Sequence, residues 1–258
     1  MNQLLNITNP LISVILPIRN AEQFLSDCLD SLITQNYQQI EIIAIDDNST
    51  DKSWKVLKNY RKKEKRLKVF KNVKKYGLPM TLNRCLKRAK GKLIAFMDPR
   101  DTITKNKLQK QLTFLLENPK VVAVGTQCVY LNEEKKRIGK STFPGLHEDI
   151  SQKPLHGVSL LFEGIMVNKY RIPKDLLYFP TYKNIFVYTN MAMKLLQYGK
   201  IVNLPEYLQF HRKHNSALQS TTSHFFSLLK VWINSRVEHA ETPSFRSFFG
   251  DFLKPETA

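Results

Sequence analysis

Lys92-Leu93-Ile94-Ala95-Phe96-Met97-Asp98-Pro99-Arg100-Asp101 is a short apolar run that ends in two carboxylates. Entered through Gly91, the segment Leu93 to Met97 reads as a strand buried on both faces. Asp98 and Asp101 follow it, with a proline and an arginine between them. In an open α/β sheet, ligands bind beyond the carboxyl ends of the strands, so a site is expected at this edge. Two acids there suit a divalent cation carrying a phosphorylated ligand, because hard cations prefer carboxylate oxygens. The competing reading is a solvated loop in which Asp98 or Asp101 caps the helix that follows. The flanking segments decide between them.

Upstream, Ile12-Ser13-Val14-Ile15-Leu16 is a β-branched run closed by Pro17, which predicts a buried strand. A helix opens after Asn20, with Phe24, Cys28, Leu29 and Leu32 on one stripe. Ile40 to Ile45 is the next strand, and it stops abruptly at Asp46-Asp47-Asn48-Ser49-Thr50-Asp51. Ser49 or Thr50 is expected to cap the following helix, which leaves Asp46 and Asp47 unexplained. Lys52 to Lys75 is dense in lysine and arginine, with Trp54, Leu57 and Tyr60 at helical spacing and a solvated face opposite. Leu67 to Phe70 reads as a strand, Tyr76-Gly77-Leu78-Pro79 as a turn, and Met80 to Ala89 as a helix.

Downstream, Asn106 to Glu117 is an amphipathic helix stopped at Asn118-Pro119, and Val121 to Gly125 is a fifth strand. Strand and helix alternate four times with short connections. That pattern predicts an α/β fold: a mostly parallel central sheet with helices on both faces. Further on, Ser159 to Val167 reads as a strand and Phe186 to Tyr198 as a helix ended by Gly199. Ile201-Val202 and Tyr207 to Phe210 read as two short strands, and Arg212-Lys213-His214 as a loop. From Thr221 to Val237 the aromatic and aliphatic residues describe an amphipathic helix. The expected division is a domain over 1–219 and a C-terminal helical extension over 220–258.

Composition narrows the function. With 258 residues, 42% hydrophobic and 10% aromatic, the chain has ample material for a sizeable core. No run approaches the roughly 18–20 apolar residues that span a bilayer, and Met1 to Asn9 lacks the features of a signal peptide. Cys28, Cys85 and Cys128 sit inside apolar patterns without paired spacing, so a reducing compartment, the cytoplasm, is expected. The net charge of +18 predicts attraction to polyanions: nucleic acid, anionic membrane or phosphorylated small molecules. Nucleic acid is disfavoured, since neither a basic-aromatic platform nor a zinc pattern occurs. No Gly-x-Gly-x-x-Gly or Gly-x-x-x-x-Gly-Lys loop is present, which argues against ordinary dinucleotide or P-loop binding.

Several spaced motifs taken together resemble the family-2 glycosyltransferases, whose fold is called GT-A. Ser13 to Glu22 resembles the family's opening strand and its Pro-x-x-Asn-x-Glu turn, through Pro17, Asn20 and Glu22. Asp46-Asp47-Asn48-Ser49-Thr50-Asp51 is similar to the family's Asp-Asp-x-Ser-x-Asp. Gly77, Asn83, Ala89 and Gly91 follow at familiar spacing, and Leu108, Glu117, Asn118 and Pro119 resemble the next helix and its exit. The resemblance covers about residues 12–216.

It implies transfer of a sugar from a nucleotide-diphospho-sugar to a glycan or lipid-linked acceptor hydroxyl, with inversion. It places Asp47 on the base, Pro17 and the turn after it around the base, and the acids after the fourth strand on ribose and a divalent metal, Mn or Mg. The nucleotide-sugar set it implies is Pro17, Asn20, Glu22, Asp46, Asp47, Gly77, Asn83, Asp98, Arg100 and Arg212. The metal set it implies is Asp98, Asp101 and His214. Arg212-Lys213-His214 resembles an Arg-x-His that meets the diphosphate or the metal. A cytoplasmic protein, docked at the inner membrane face through an anionic surface, fits a lipid-linked acceptor.

The chain departs from the family pattern at two places. Where the family reads Asp-x-Asp-Asp, this chain has Asp98-Pro99-Arg100-Asp101, so an arginine stands at the position most directly tied to the metal. A guanidinium cannot ligate a cation but can pair bidentately with phosphate. Arg100 therefore either neutralises a diphosphate in place of a metal or marks a silent site. The family's Glu-Asp pair, whose Asp is the general base, is replaced by Val187 and Tyr188, with no acid between Lys183 and Gly199. Glu163, or Glu148 with Asp149, are the substitutes at hand, and the catalytic base stays unassigned. The rival to an enzyme is a catalytically inactive homologue that binds a nucleotide-sugar, a glycan or a protein.

Overall fold

A computed structural model describes residues 9–152, 160–181 and 187–213. Its centre is a nine-stranded sheet in the order β3-β2-β1-β4-β8-β6-β9-β5, with β7 paired to β6. The first four strands are β1 (Ile12–Ile18), β2 (Ile40–Asp46), β3 (Leu67–Lys71) and β4 (Leu93–Phe96), and they are mutually parallel. Their connections are α1 (Glu22–Ile33), α2 (Ser53–Lys63) and α3 (Leu78–Arg88). The two-residue period of the strands feeds two cores. Ile12, Val14, Leu16, Ile40, Ile42 and Ala44 pack with α1, α2 and α4 (Lys107–Glu117) on one face. Ile15, Ile43, Ile45, Ile94 and Phe96 pack with α3 and α6 (Val187–Leu196) on the other. The expected fold class, a central sheet with helices on both faces, is the one observed.

Pro17 does not close the first strand, which runs on through Ile18 against β2. A proline is tolerated there because β4 pairs with β1 only at Ile12 to Ile15, so no ladder bond needs its missing N–H. At the opposite end of the strands Glu41, almost fully buried, accepts from Ser13 Oγ at 2.6 Å and from the Lys90 amide at 2.6 Å, and pairs with Lys68. That network ties β1, β2, β3 and the approach to β4 together at the edge away from the acids.

The second half is less parallel than the sequence pattern predicts. β8 (Met166–Asn168) inserts antiparallel between β4 and β6 (Val121–Leu131), and β5 (Thr102–Ile103) pairs antiparallel with β9 (Lys200–Arg212). The strand expected over Ser159–Val167 is instead a 3-10 turn, Phe162–Gly164, followed by β8. The two short strands expected after Gly199 are one long β9, whose register against β6 shifts around Thr126 and Gln127 to absorb Pro205 and Glu206. β7 (Arg137–Lys140) is an exposed hairpin arm, and α5 (His147–Gln152) packs on β9. The expected helix over Thr221–Val237, and with it the 220–258 extension, lies outside the described residues.

Candidate active site

A cleft of about 300 Å³ opens at the carboxyl ends of β1, β2 and β4. Its walls include Pro17, Arg19, Asp47, Lys75, Gly77 and Thr81 from the first three strand ends and helices, and Asp98, Pro99, Arg100, Glu163 and Tyr188 from later in the chain. Pro17, Asp47, Gly77, Asp98 and Arg100 of the residues singled out from sequence therefore meet in one place. Asn20, Glu22, Asp46, Asn83, Asp101 and Arg212 do not line it.

The β2 end is built by its own acids. Asp47 accepts from the Tyr76 and Gly77 amides, both at 2.8 Å, and from Asn72 Nδ2 at 2.7 Å. Burial on its own would lift its pKa, but these donors and Arg19 outweigh it and hold the carboxyl below its ordinary value. Gly77 is needed for this loop because its φ of 86° lies in the region that side chains avoid. Asp46 accepts from the Ser49 hydroxyl and from the Ser49 amide at 3.2 Å. Ser49 and Thr50 do not cap α2. Instead Asp51 accepts from the amides of Ser53 and Glu22, both at 2.9 Å, and Glu22 accepts from the Lys52 amide at 2.9 Å. Ser53 Oγ completes the exchange by accepting from the Ala21 amide at 2.9 Å, so α1 and α2 cap each other. Asn20 accepts from the Thr50 amide at 3.0 Å, which joins the turns after β1 and β2. The acids of this motif set the shape of the cleft wall.

The β4 end is different. Asp101 is fully buried, and its oxygens accept from Gln209 Nε2 at 2.7 Å, His211 Nδ1 at 2.9 Å and the Arg212 amide at 3.0 Å. The β5–β9 register sets this up: Thr102 faces Phe210, so Asp101 falls opposite His211, with Gln209 two residues away on the same strand face. Burial opposes charge on His211, yet the Asp101 contact prevails and its pKa is raised. Asp98 accepts from the Arg100 amide at 2.8 Å. Burial and the neighbouring Asp101 push its carboxyl up to about 6. Arg212, expected at a diphosphate, is 2% exposed and sits beneath the cleft. Its guanidinium donates to the Arg100 carbonyl at 3.2 Å and lies 4.2 Å from the Phe24 ring centre. His214 lies outside the described residues. Asn83 holds the Phe179 backbone by a pair of hydrogen bonds at 2.7 and 2.8 Å.

The sequence candidates for a base separate clearly. Glu148 and Asp149 lie on the exposed face of α5, with Glu148 paired to Lys200 at 2.9 Å. Glu163 stands in the cleft wall beside Asp98, and burial together with Asp98 raises its carboxyl to about 7. Tyr188 is stacked on Phe162 with ring centres 5.0 Å apart. The 3-10 turn that presents Glu163 is anchored from below: Gly164 O accepts from Lys107 Nζ at 2.7 Å and from Gln111 Nε2 at 2.9 Å. Lys107 is 2% exposed, and burial lowers its pKa to about 7.

Lys107, Gln209 and His211 are site-building residues that the sequence reading passed over. Lys107 and Gln111 share the stripe of Leu108, Leu112 and Leu115 at helical spacing, a signal that both point into the core. Glu163 carries a similar signal, a lone acid inside the apolar run Leu160 to Val167.

The model of glycosyl transferase family 2 matches residues 13–190. A protein of Haemophilus influenzae named as an uncharacterized glycosyltransferase is 44% identical over 116 residues, which is 45% of this chain and 46% of that protein. The chain thus matches about half the length of that relative. Staphylococcus aureus TarS, solved in complex with UDP-GlcNAc, superposes with a TM-score of 0.72 at 21% identity, covering 92% of this chain and 69% of that one. The mannosyltransferase PcManGT of Pyrobaculum calidifontis, solved with GDP-Man and Mn²⁺, gives 0.63 at 16% identity, covering 92% and 66%. The structural likenesses carry the GT-A fold, and the family model spans most of the chain. This chain belongs to glycosyl transferase family 2.

Proposed function

We propose that the chain transfers a sugar from a nucleotide-diphosphate donor to a hydroxyl of a glycan or lipid-linked acceptor, with inversion at the anomeric carbon. The observation that carries this reading is the pairing of charges in the cleft. Arg100, Lys75 and Arg19 suit a diphosphate, and Glu163 lines the same cleft as a carboxyl group with a pKa of about 7. In a single displacement the acceptor oxygen bonds to the anomeric carbon while the bond from that carbon to the diphosphate oxygen breaks. The hydroxyl proton passes to Glu163, and the electron pair leaves on the diphosphate, against the cations. The solved complexes of structural relatives, TarS with UDP-GlcNAc and PcManGT with GDP-Man, support a nucleotide-sugar as donor.

The inactive-homologue reading draws on Tyr188, which replaces the family's acid. Glu163 in the same cleft answers that loss, so the enzyme reading is preferred. A screen of UDP, GDP, UDP-glucose, UDP-GlcNAc and GDP-mannose by thermal unfolding tests the proposal. A nucleotide at 100 times its dissociation constant adds about 2.7 kcal/mol of stability. A rise in melting temperature with one base class, followed by release of free nucleoside diphosphate during turnover, is expected. No stabilisation by any of the five contradicts the reading.

Among the described residues no helix is long and apolar enough to cross a membrane. A cytoplasmic site at an anionic membrane face remains part of the proposal, supported by the net charge of +18.

A further inference from the structure

The family resemblance implies a divalent metal at the acids after β4, and the residues present do not fit one. A metal site needs carboxylate oxygens free to coordinate. Asp101 is poorly available for one: Oδ2 accepts from Gln209 and His211, Oδ1 accepts from the Arg212 amide, all three donors come from β9, and the side chain is fully buried. Opening it would leave the buried Gln209 amide and the partly buried His211 ring without their acceptor, and buried donors without partners are costly. Between the two acids stands Arg100, which can ligate nothing. Among the described residues no three His, Cys, Asp or Glu side chains converge to hold an ion.

Arg100 is also well placed for another task. It lines the cleft with Lys75 and Arg19, and its backbone is fixed on both sides. Its amide donates to Asp98, and its carbonyl accepts from the buried Arg212 guanidinium. A guanidinium held by its backbone at a cleft wall loses little freedom when it forks onto a phosphate. Arg19 by contrast spends Nη1 on the Asp47 and Asn48 carbonyls at 2.7 and 3.1 Å.

We propose that this site binds the donor diphosphate without a divalent cation, the Arg100 guanidinium standing in for the metal with Lys75 beside it. The inference rests on the nucleotide-sugar reading above, and the experiment separates the two. UDP and GDP are titrated calorimetrically into the full chain, once with EDTA and once with Mn²⁺. In parallel, Mn²⁺ alone is added and its free-ion electron paramagnetic resonance signal is followed.

For whichever nucleotide binds, the expected dissociation constants with EDTA and with Mn²⁺ agree to within about twofold. The Mn²⁺ signal stays that of the free ion. Arg100→Ala weakens binding by about 10- to 100-fold, whereas Arg100→Lys keeps the charge and loses less. A tenfold gain in affinity on adding Mn²⁺, or stoichiometric loss of the free Mn²⁺ signal, overturns the inference. So does an Arg100→Ala protein that is folded and binds like the parent. If neither nucleotide binds under either condition, the donor reading itself fails, and the Mn²⁺ signal still decides whether the acids take a metal.

Discussion

The acids at the end of β2 and those around the end of β4 flank β1 at one edge of the same sheet, yet their surroundings differ. Asp46, Asp47 and Asp51 meet neutral donors, chiefly backbone amides, from segments within about thirty residues. Their bonds build the cleft wall, and Asp47 and Asp51 have lowered pKa values. Asp98 and Glu163 lie within the electrostatic reach of Asp101, and burial together with the neighbouring carboxylates lifts both of their carboxyls. Asp101 is matched by donors from β9, more than one hundred positions along the chain. A carboxyl group at this edge of the sheet is thus either held ionised or pushed towards its protonated form, and its partners decide which.

The largest effect that sharpens this contrast is expected at Glu163. Glu163→Gln keeps the shape and removes the proton acceptor, so turnover falls by about 10²- to 10⁴-fold. Nucleotide affinity, read by calorimetry, stays within about twofold because no donor contact is assigned to it. Full turnover in Glu163→Gln would place Glu163 with the framework acids and break the comparison on the β4 side.

At the β2 end, Asp47→Ala leaves the Tyr76 and Gly77 amides and Asn72 without their acceptor, costing about 2–3 kcal/mol in urea unfolding. Nucleotide affinity drops with it, because the loop carrying Lys75 and Gly77 loses its anchor. A folded Asp47→Ala protein of parental stability that nonetheless loses nucleotide binding would make Asp47 a ligand contact rather than a frame residue.

A third effect separates the two ends by pH. Asp47 has a folded pKa below its unfolded one, so its contribution is present above about pH 4 and is lost as pH falls through the folded value. Asp98 and Glu163 have raised values, so the folded state keeps protons that the unfolded chain releases near pH 4. Their cost therefore grows as pH rises from about 4 through 6 and 7. His211 adds to the same slope, since its stabilisation is full below about pH 6.5 and is lost as pH rises through its raised folded value. Melting temperature against pH should lose part of its acid limb in Asp47→Asn and part of its slope between pH 5 and 8 in Glu163→Gln. An unchanged profile in both would contradict the electrostatic difference.

The strands and helices of the first half were legible in the sequence, whereas the partners of the acids at both strand ends were legible only in part. Alternating strands and helices up to Val121 make local contacts, so periodicity predicts these elements; the partners of Asp46 to Asp51 follow no period, and Ser49 and Thr50 read as caps that Asp51 and Ser53 supply instead. Asp101 depends on β5, which is two residues long, and on β9, whose course through Pro205 hides it as two fragments. Nothing in the local pattern links position 101 to 209 and 211. Glu163 was one of three candidate bases until the 3-10 turn placed it in the cleft and α5 carried Glu148 and Asp149 away from it. Arg212 matched the family motif in sequence, yet packing against Phe24 turned it into a support for Arg100.

The central claim is a nucleotide diphosphate held between these two strand ends by a guanidinium in place of a metal. It is tested most directly by a crystal structure grown with the nucleotide and Mn²⁺, with diffraction recorded at the manganese edge. The account predicts the nucleotide along Pro17, Arg19 and Gly77, its diphosphate against Arg100, and no anomalous peak at Asp98 or Asp101. An anomalous peak bonded to Asp101, with Gln209 and His211 turned away from it, would contradict the account.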